Sequence, residues 1–234
     1  MGTMERKERE KERRRTEILG AAEEVFSNKN LAQTTMDEIA EKAELGKSTI
    51  YLYYKSKEDI FLAVLCRAHE ILYGLFENAA GTGESSLKRF QNIIDAYCQY
   101  SRRYSRYFEM ETFLEDTQVH TRVSDEMLGE CRVSVQKIWK AVTDVLEQGM
   151  QDGTFRKDIN PMEMAVIMEL NLRGVIRLIN QASLLVMCPP GFENIDLEQL
   201  LRRSSSMLTY MILSDEARKN FPMDFYGISG RDKQ

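Results

Sequence analysis

Residues 34–59, TTMDEIAEKAELGKSTIYLYYKSKED, constrain the fold more than any other stretch of this chain. Their local chemistry describes two short helices joined by a tight turn, then the start of a third. The Thr35 hydroxyl stands where it can accept a free backbone N–H at a helix start, and Glu38, three residues on, completes a capping-box pattern. Ile39, Ala40 and Ala43 then share one helical face, and the two alanines leave room for a second helix to approach closely. Leu45 and Gly46 mark the turn, with Gly46 as N-cap of a second helix over residues 47–53. Ile50 and Tyr54 suit the inside. Lys47, Ser48, Tyr51, Leu52 and Tyr53 are left to face outward in some mixture. A cation, hydroxyls and aromatic rings on a short rigid rod are what insertion into a DNA major groove requires.

The rest of the chain has the same period. Proline is scarce, at 4 of 234 residues, and strand-type alternation is nearly absent, so the fold class is all-α. Residues 5–15, ERKEREKERRR, are a solvated helical extension or an arm whose Arg13, Arg14 and Arg15 reach phosphates or a minor groove. Ile18, Leu19, Ala21, Ala22, Val25 and Phe26 form an amphipathic face that braces the reading unit, and Leu31 tucks into the same core. One long helix follows over 57–78, then helices over 87–103, 107–114, 125–150, 162–187 and 197–213. A loop or broken helix is expected over 115–124, and a loosely packed tail from Ser214, with Phe221, Phe225 and Tyr226 as possible anchors. Arg102, Arg103 and Arg106 with Tyr104 and Tyr107 read as basic residues at a helix C-terminus, or less simply as an anion site.

Charge and cysteine usage narrow the function. The net charge is −5, yet residues 1–57 carry 12 Lys/Arg against 11 Asp/Glu; a DNA reader needs a local basic face, not a basic total. Cys66, Cys98, Cys131 and Cys188 are widely spaced without a CxxC, which argues against a disulfide scaffold and fits a reducing cytoplasm. No apolar run approaches the roughly 18 residues of a membrane span, so no membrane partner is expected. His69 and His120 have no second ligand at metal spacing, and phosphate-loop, dinucleotide and GxSxG motifs are absent. No catalytic residue, metal or cofactor is therefore expected.

The run IAEKAELGKSTIYLYYKSKEDI, residues 39–60, resembles the N-terminal helix-turn-helix of TetR-type transcriptional regulators. The threonine pair before the first helix, Ile39-Ala40, Ala43, residues 47–51 and Lys57-Glu58 carry the likeness over about residues 16–62. Two positions depart: Glu44 stands where the family usually has glycine, and Gly46 where it often has serine. If Glu44 takes a positive φ it carries strain on the order of 1 kcal/mol. The resemblance implies a three-helix DNA-binding domain over residues 1–57 and a larger helical ligand-binding and dimerisation domain over 58–234. It also implies a homodimer through the last two long helices, 162–187 and 197–213, and a small hydrophobic or amphipathic effector. Its targets would be a double-stranded operator, with repression the usual mode. The GTFRKDINP run, residues 153–161, is similar to the family's connection before its penultimate helix.

Side-chain chemistry divides the reading surface. Lys47, Ser48 and Leu52 are candidates for base edges. Thr35, Thr49, Tyr51, Tyr53 and Lys57 are candidates for phosphates, and the positions matching Tyr51 and Lys57 commonly hold phosphates in the resembled family. Leu52 and Tyr53 can instead pack within the small domain. For an effector pocket the candidates are Phe76, Tyr97, Phe108, Met110, Phe113, Met127, Trp139, Met168 and Asn171, each of which can equally be ordinary core. A second reading is a helical protein–protein adaptor with a structural helix-turn-helix, which would show no salt-dependent DNA affinity.

Overall fold

The structure, a computed structural model, describes residues 3–111, 121–180 and 191–221. Among these the chain is helical, apart from one isolated bridge between Phe155 and Leu213. The helices are α1 (Thr3–Asn28), α2 (Met36–Lys42), α3 (Lys47–Tyr51), α4 (Lys57–Gly81), α5 (Ser86–Arg103), α6 (Ser105–Met110), α7 (Asp125–Gln151), α8 (Pro161–Asn180), α9 (Leu197–Ile212) and α10 (Asp215–Arg218). They form two compact units, Met1–Tyr73 with Arg103–Lys137, and Gly74–Arg102 with Ile138–Gln234.

The first unit is built on the predicted small core. Ile18, Ala22, Phe26, Leu31, Ile39, Ile50, Tyr54 and Phe61 are buried together, and the Phe26 and Phe61 rings meet edge to face at 5.2 Å. Each of the isoleucine, leucine and phenylalanine side chains among them contributes roughly 1.5–3 kcal/mol by leaving water. Residues 5–15 continue α1 as a solvated extension: Arg13 pairs with Glu10 at 2.6 Å and Arg14 with Glu17 at 2.9 Å, both within one turn. α6 begins at Ser105, two residues before the expected start, and residues 112–120, which hold the end of the expected helix and the first part of the expected loop, lie outside the described residues.

In the second unit α8 and α9 pack on each other, burying Met164, Ala165, Met168, Leu172 and Ile176 of α8 and Leu201, Leu208 and Ile212 of α9. Pro161 opens α8, and the Asn160 carboxamide oxygen accepts from the N–H groups of Met162 and Glu163. The expected continuation to residue 187 lies partly outside the described residues, as do Phe225 and Tyr226. The stretch after Ser214 is not loose where it is described. Ser214 caps α10, the Arg218 guanidinium donates to the carbonyls of Tyr210 and Met211, and the Phe221 ring lies 6.3 Å from that of Tyr210. A cap and an arginine fork override the low local hydrophobicity there.

The α2 C-terminus has one strained position. Glu44 has φ +54°, Leu45 N–H donates to Ala40 O at 3.0 Å, and Glu44 N–H donates to Glu41 O at 3.1 Å. This is a Schellman closure with glutamate in the left-handed site that favours glycine. Glu44→Gly is therefore expected to raise stability by about 0.5–1 kcal/mol, the relieved strain outweighing the added unfolded-chain entropy. A denaturation midpoint that falls would contradict this.

Candidate nucleic-acid interface

α2 is fixed at its start by the box anticipated above. Thr35 Oγ1 accepts from Glu38 N–H at 3.3 Å, and Glu38 Oε2 accepts from Thr35 N–H at 3.0 Å. The Thr35 hydroxyl keeps its own hydrogen for a further acceptor. After the Schellman turn Gly46 caps α3, its carbonyl accepting from Thr49 and Ile50. α3 ends at Tyr51, two residues before the expected Tyr53; the N–H groups of Leu52 and Tyr53 close the last turn through i−3 bonds. Ile50 and Tyr54 are buried and hold α3 onto the core.

This anchoring leaves a defined outer face. Lys47 and Ser48 are exposed, Thr49 is half-buried, Tyr51 is 47% exposed and Leu52 is 83% exposed. Tyr53 is half-buried and packs against the core. An 83% exposed leucine beside an exposed tyrosine has no packing role in this unit. The Lys47 ammonium lies 2.7 Å from Asp37, and this carboxylate holds it above its ordinary range. Both partners are well exposed, so the pair is weak and can be exchanged for a better acceptor. Lys57 is employed differently: its Nζ donates to Ala32 O at 3.2 Å and Thr34 O at 2.8 Å. It ties the chain before α2 to the start of α4, with one N–H left over.

Three supports of this face escaped the sequence reading. The Arg15 guanidinium lies over the Tyr54 ring, 5.7 Å from its centroid, and pairs with Glu130 at 3.1 Å. Burial pushes the Tyr54 phenol up, against the opposing pull of Arg15. Asp59, 3% exposed, accepts from the N–H of Lys55 at 3.3 Å and of Ser124 at 2.7 Å. Lys55 lines a groove with Lys11, Arg15, Tyr51 and Leu52, which adds cations to the edge of the α3 face. Contacts such as Asp59 to Ser124, 65 residues apart, have no local sequence signal.

The candidates for an effector pocket fall in both units. Phe76 and Tyr97 are buried with rings 6.4 Å apart, and Met168 is buried and Trp139 half-buried in the same unit. Asn171 is exposed and accepts from the Ser204 hydroxyl. Phe108, Met110 and Met127 are buried in the unit that carries the reading face, where Met110 and Met127 belong to its core. Phe113 lies outside the described residues. A surface groove between α5 and α9 is lined by other side chains, among them Lys88, Ile94, Cys98, Arg102, Leu201 and Thr209. The basic-aromatic cluster after α5 is divided: Arg102 pairs with Glu198, while Arg103 lies over the Tyr104 ring, which stacks on Tyr107 at 6.3 Å.

With this geometry in view, comparison with known proteins is decisive. The family described as bacterial regulatory proteins, tetR family, matches residues 18–64, which span the second half of α1 to the first turns of α4. Residues 18–64 carry a TetR-type DNA-binding domain. The regulator is 26% identical over 148 residues to the HTH-type transcriptional repressor KstR2 of Mycolicibacterium smegmatis, covering 63% of this chain and 70% of that protein. It is 28% identical over 142 residues to the transcriptional activator FasR of the same species, covering 59% of this chain and 61% of FasR. Among solved structures, FadR of Bacillus subtilis in complex with stearoyl-CoA aligns with a TM-score of 0.61 at 18% identity, covering 83% of this chain and 97% of FadR. The protein is thus a DNA-binding transcriptional regulator with a helix-turn-helix in α2–α3. No described helix is long and apolar enough to cross a membrane.

Proposed function

We propose that this regulator is a cytoplasmic homodimeric repressor whose release from its operator is driven by a small hydrophobic or amphipathic molecule. The observation that carries the reading is the outward face of α3: Lys47, Ser48, Tyr51 and Leu52 are exposed while Ile50 and Tyr54 lock the helix to its core. In this reading Lys47, Ser48 and Leu52 meet base edges, and Thr35, Thr49, Tyr51, Tyr53 and Lys57 meet phosphates. Residues 1–57 act as the reader and 58–234 as the sensor and dimerisation part. Repression is supported by the name of KstR2, although FasR, a similar protein, is an activator.

Dimerisation through α8 and α9 is supported by the side of these helices turned away from their own core. Met162, Val166, Ile167 and Leu170 of α8, and Met207 and Met211 of α9, are exposed large apolar residues. Val166 and Leu170 are four residues apart, as are Met207 and Met211, so each pair forms a ridge along its helix. Such a contiguous apolar stripe marks an interaction surface.

For the effector, the stearoyl-CoA bound to FadR is an amphipathic molecule, and the Met- and aromatic-rich sensor helices suit that class. α4 runs unbroken from Lys57 to Gly81 and at its start holds two carbonyls of the reader through Lys57. An effector that favours one position of α4 shifts the spacing of two reading helices, and it does so only by binding one spacing better than the other. An effector that binds tightly yet leaves operator affinity unchanged removes this mechanism.

The test is binding to DNA upstream of the protein's own gene, against scrambled DNA, across a salt series. Nanomolar, sequence-selective binding with a steep salt slope is expected. Lys47→Ala should relax selectivity by about 5- to 150-fold, and Tyr51→Phe should weaken binding to all sequences alike. Binding unaltered in both variants would place the reader elsewhere, and salt-independent binding would sink the reading.

A further inference from the structure

Within the first unit, α4 and the start of α7 meet in a regular register. Asp59 accepts from Ser124 N–H and Glu70 accepts from the Ser134 hydroxyl, and between these ties Cys66 and Cys131 each stand seven residues further along from the first pair. Two cysteines 65 residues apart in sequence are therefore side by side on neighbouring helices. Next to them lies a histidine that the DNA-reading function does not use. His69 Nδ1 is 3.8 Å from the Cys131 sulfur, and its Nε2 is 4.0 Å from Glu111 Oε1. Cys131, His69 and Glu111 are all buried, whereas Cys66 is half-buried and opens the pair toward solvent.

The chemistry of this row is specific. In the tautomer with hydrogen on Nε2, the nitrogen on the Glu111 side, the Nδ1 lone pair of His69 turns toward the Cys131 thiol. The neighbouring Cys66 thiol, together with His69, holds the Cys131 thiol below the ordinary thiol range against the opposing effect of burial. The Cys131 thiol beside it, and burial, push the Cys66 thiol up. Cys98 lacks such a neighbour, and burial raises it to about 11. Among the described residues no group of three or more His, Cys, Asp and Glu is placed to hold a metal ion, so the row is not a metal site.

We propose that Cys66 and Cys131 form a redox-active dithiol that a hydroperoxide oxidises to a disulfide, with His69 and Glu111 handling the proton. The Cys131 proton passes to His69 Nδ1, and the thiolate attacks the peroxide. The O–O bond breaks, an S–O bond forms, and the departing alkoxide or hydroxide takes up a proton to leave as alcohol or water. Cys66 then attacks the Cys131 sulfenic acid. The S–O bond breaks, the S–S bond forms, and the Cys66 proton leaves with the hydroxyl as water. Two thiols are oxidised and one peroxide is reduced. This is a site for a reversible modification rather than a structural disulfide, and it stands independently of the DNA reading.

The experiment uses the full chain, reduced and then treated with stoichiometric hydrogen peroxide, followed by thiol titration and non-reducing peptide mapping. A peptide linking Cys66 to Cys131 is expected, with Cys98 still open to alkylation and reacting about tenfold or more slowly. Cys66→Ser should stop at a Cys131 sulfenic acid that a 1,3-diketone traps. His69→Gln should slow oxidation by ~10-fold or more while both thiols remain. Absence of the linked peptide in the unmodified protein, or Cys98 oxidising as fast as Cys131, overturns the proposal without reliance on any variant. A Cys131→Ser protein that loses thiols at the original rate overturns it as well.

Discussion

Leu170→Glu combined with Met211→Glu is expected to convert the protein into monomers and to weaken operator binding by about 100-fold or more. Leu170 is 62% exposed on α8 and Met211 is exposed on α9, both on the side away from their shared core. A glutamate at either position costs the isolated chain little, because the side chain stays in water. In an apolar interface two carboxylates per chain would lose their hydration without a partner. The loss of DNA affinity follows from geometry. Two linked readers bind two half-sites with the second event intramolecular, and a monomer loses that gain. Sedimentation together with a DNA titration separates the effects. A double variant that stays dimeric would move the interface away from α8 and α9, and a monomer that binds the operator as tightly as before would remove the two-reader model.

Phe155→Ala is the change expected to cost most in stability, about 3–5 kcal/mol, which lowers the Tm by roughly 6–20 °C in a chain of this size. Phe155 follows the turn after α7 and is 1% exposed. Its ring lies 5.7 Å from Phe90, nearly edge-on, and presses on Gly149, where a Cβ would come within 2.1 Å of it. The backbone on either side is pinned as well: Arg156 N–H donates to Ile212 O and Ser214 N–H to Thr154 O, both at 2.9 Å. The side chain is therefore held on all sides, and the space it leaves cannot collapse readily. Gly149→Ala tests the same contact from the other face and should also destabilise, since the ring has nowhere to move. A Tm change below about 2 °C for Phe155→Ala would mean that this side chain is not the plug described here.

The stretch over residues 34–59 was legible because its determinants are local. The Thr35–Glu38 box spans four residues, the Schellman turn with Glu44 at positive φ spans six, and the alternation of Ile39, Ala40, Ile50 and Tyr54 with exposed positions follows from helical period alone. The same holds for α4, α5, α7 and α9, whose bounds agree with the expected ones to within a few residues. Periodicity shows which face of a helix turns inward, but not which helix it meets. That is why Phe76 and Met110, similar in character on the page, belong to the interiors of different units. It is also why Lys57, chosen as a phosphate ligand, is found holding two backbone carbonyls more than twenty residues away. The helices, their caps and the exposed face of α3 were thus determined by the sequence itself, through bonds and packing that span only one or two turns. The Asp59–Ser124 tie, the Arg15–Tyr54 stack and the Cys66–Cys131–His69–Glu111 row were decided only by tertiary structure, because each depends on how distant segments align, and side-chain identity carries no information about that alignment.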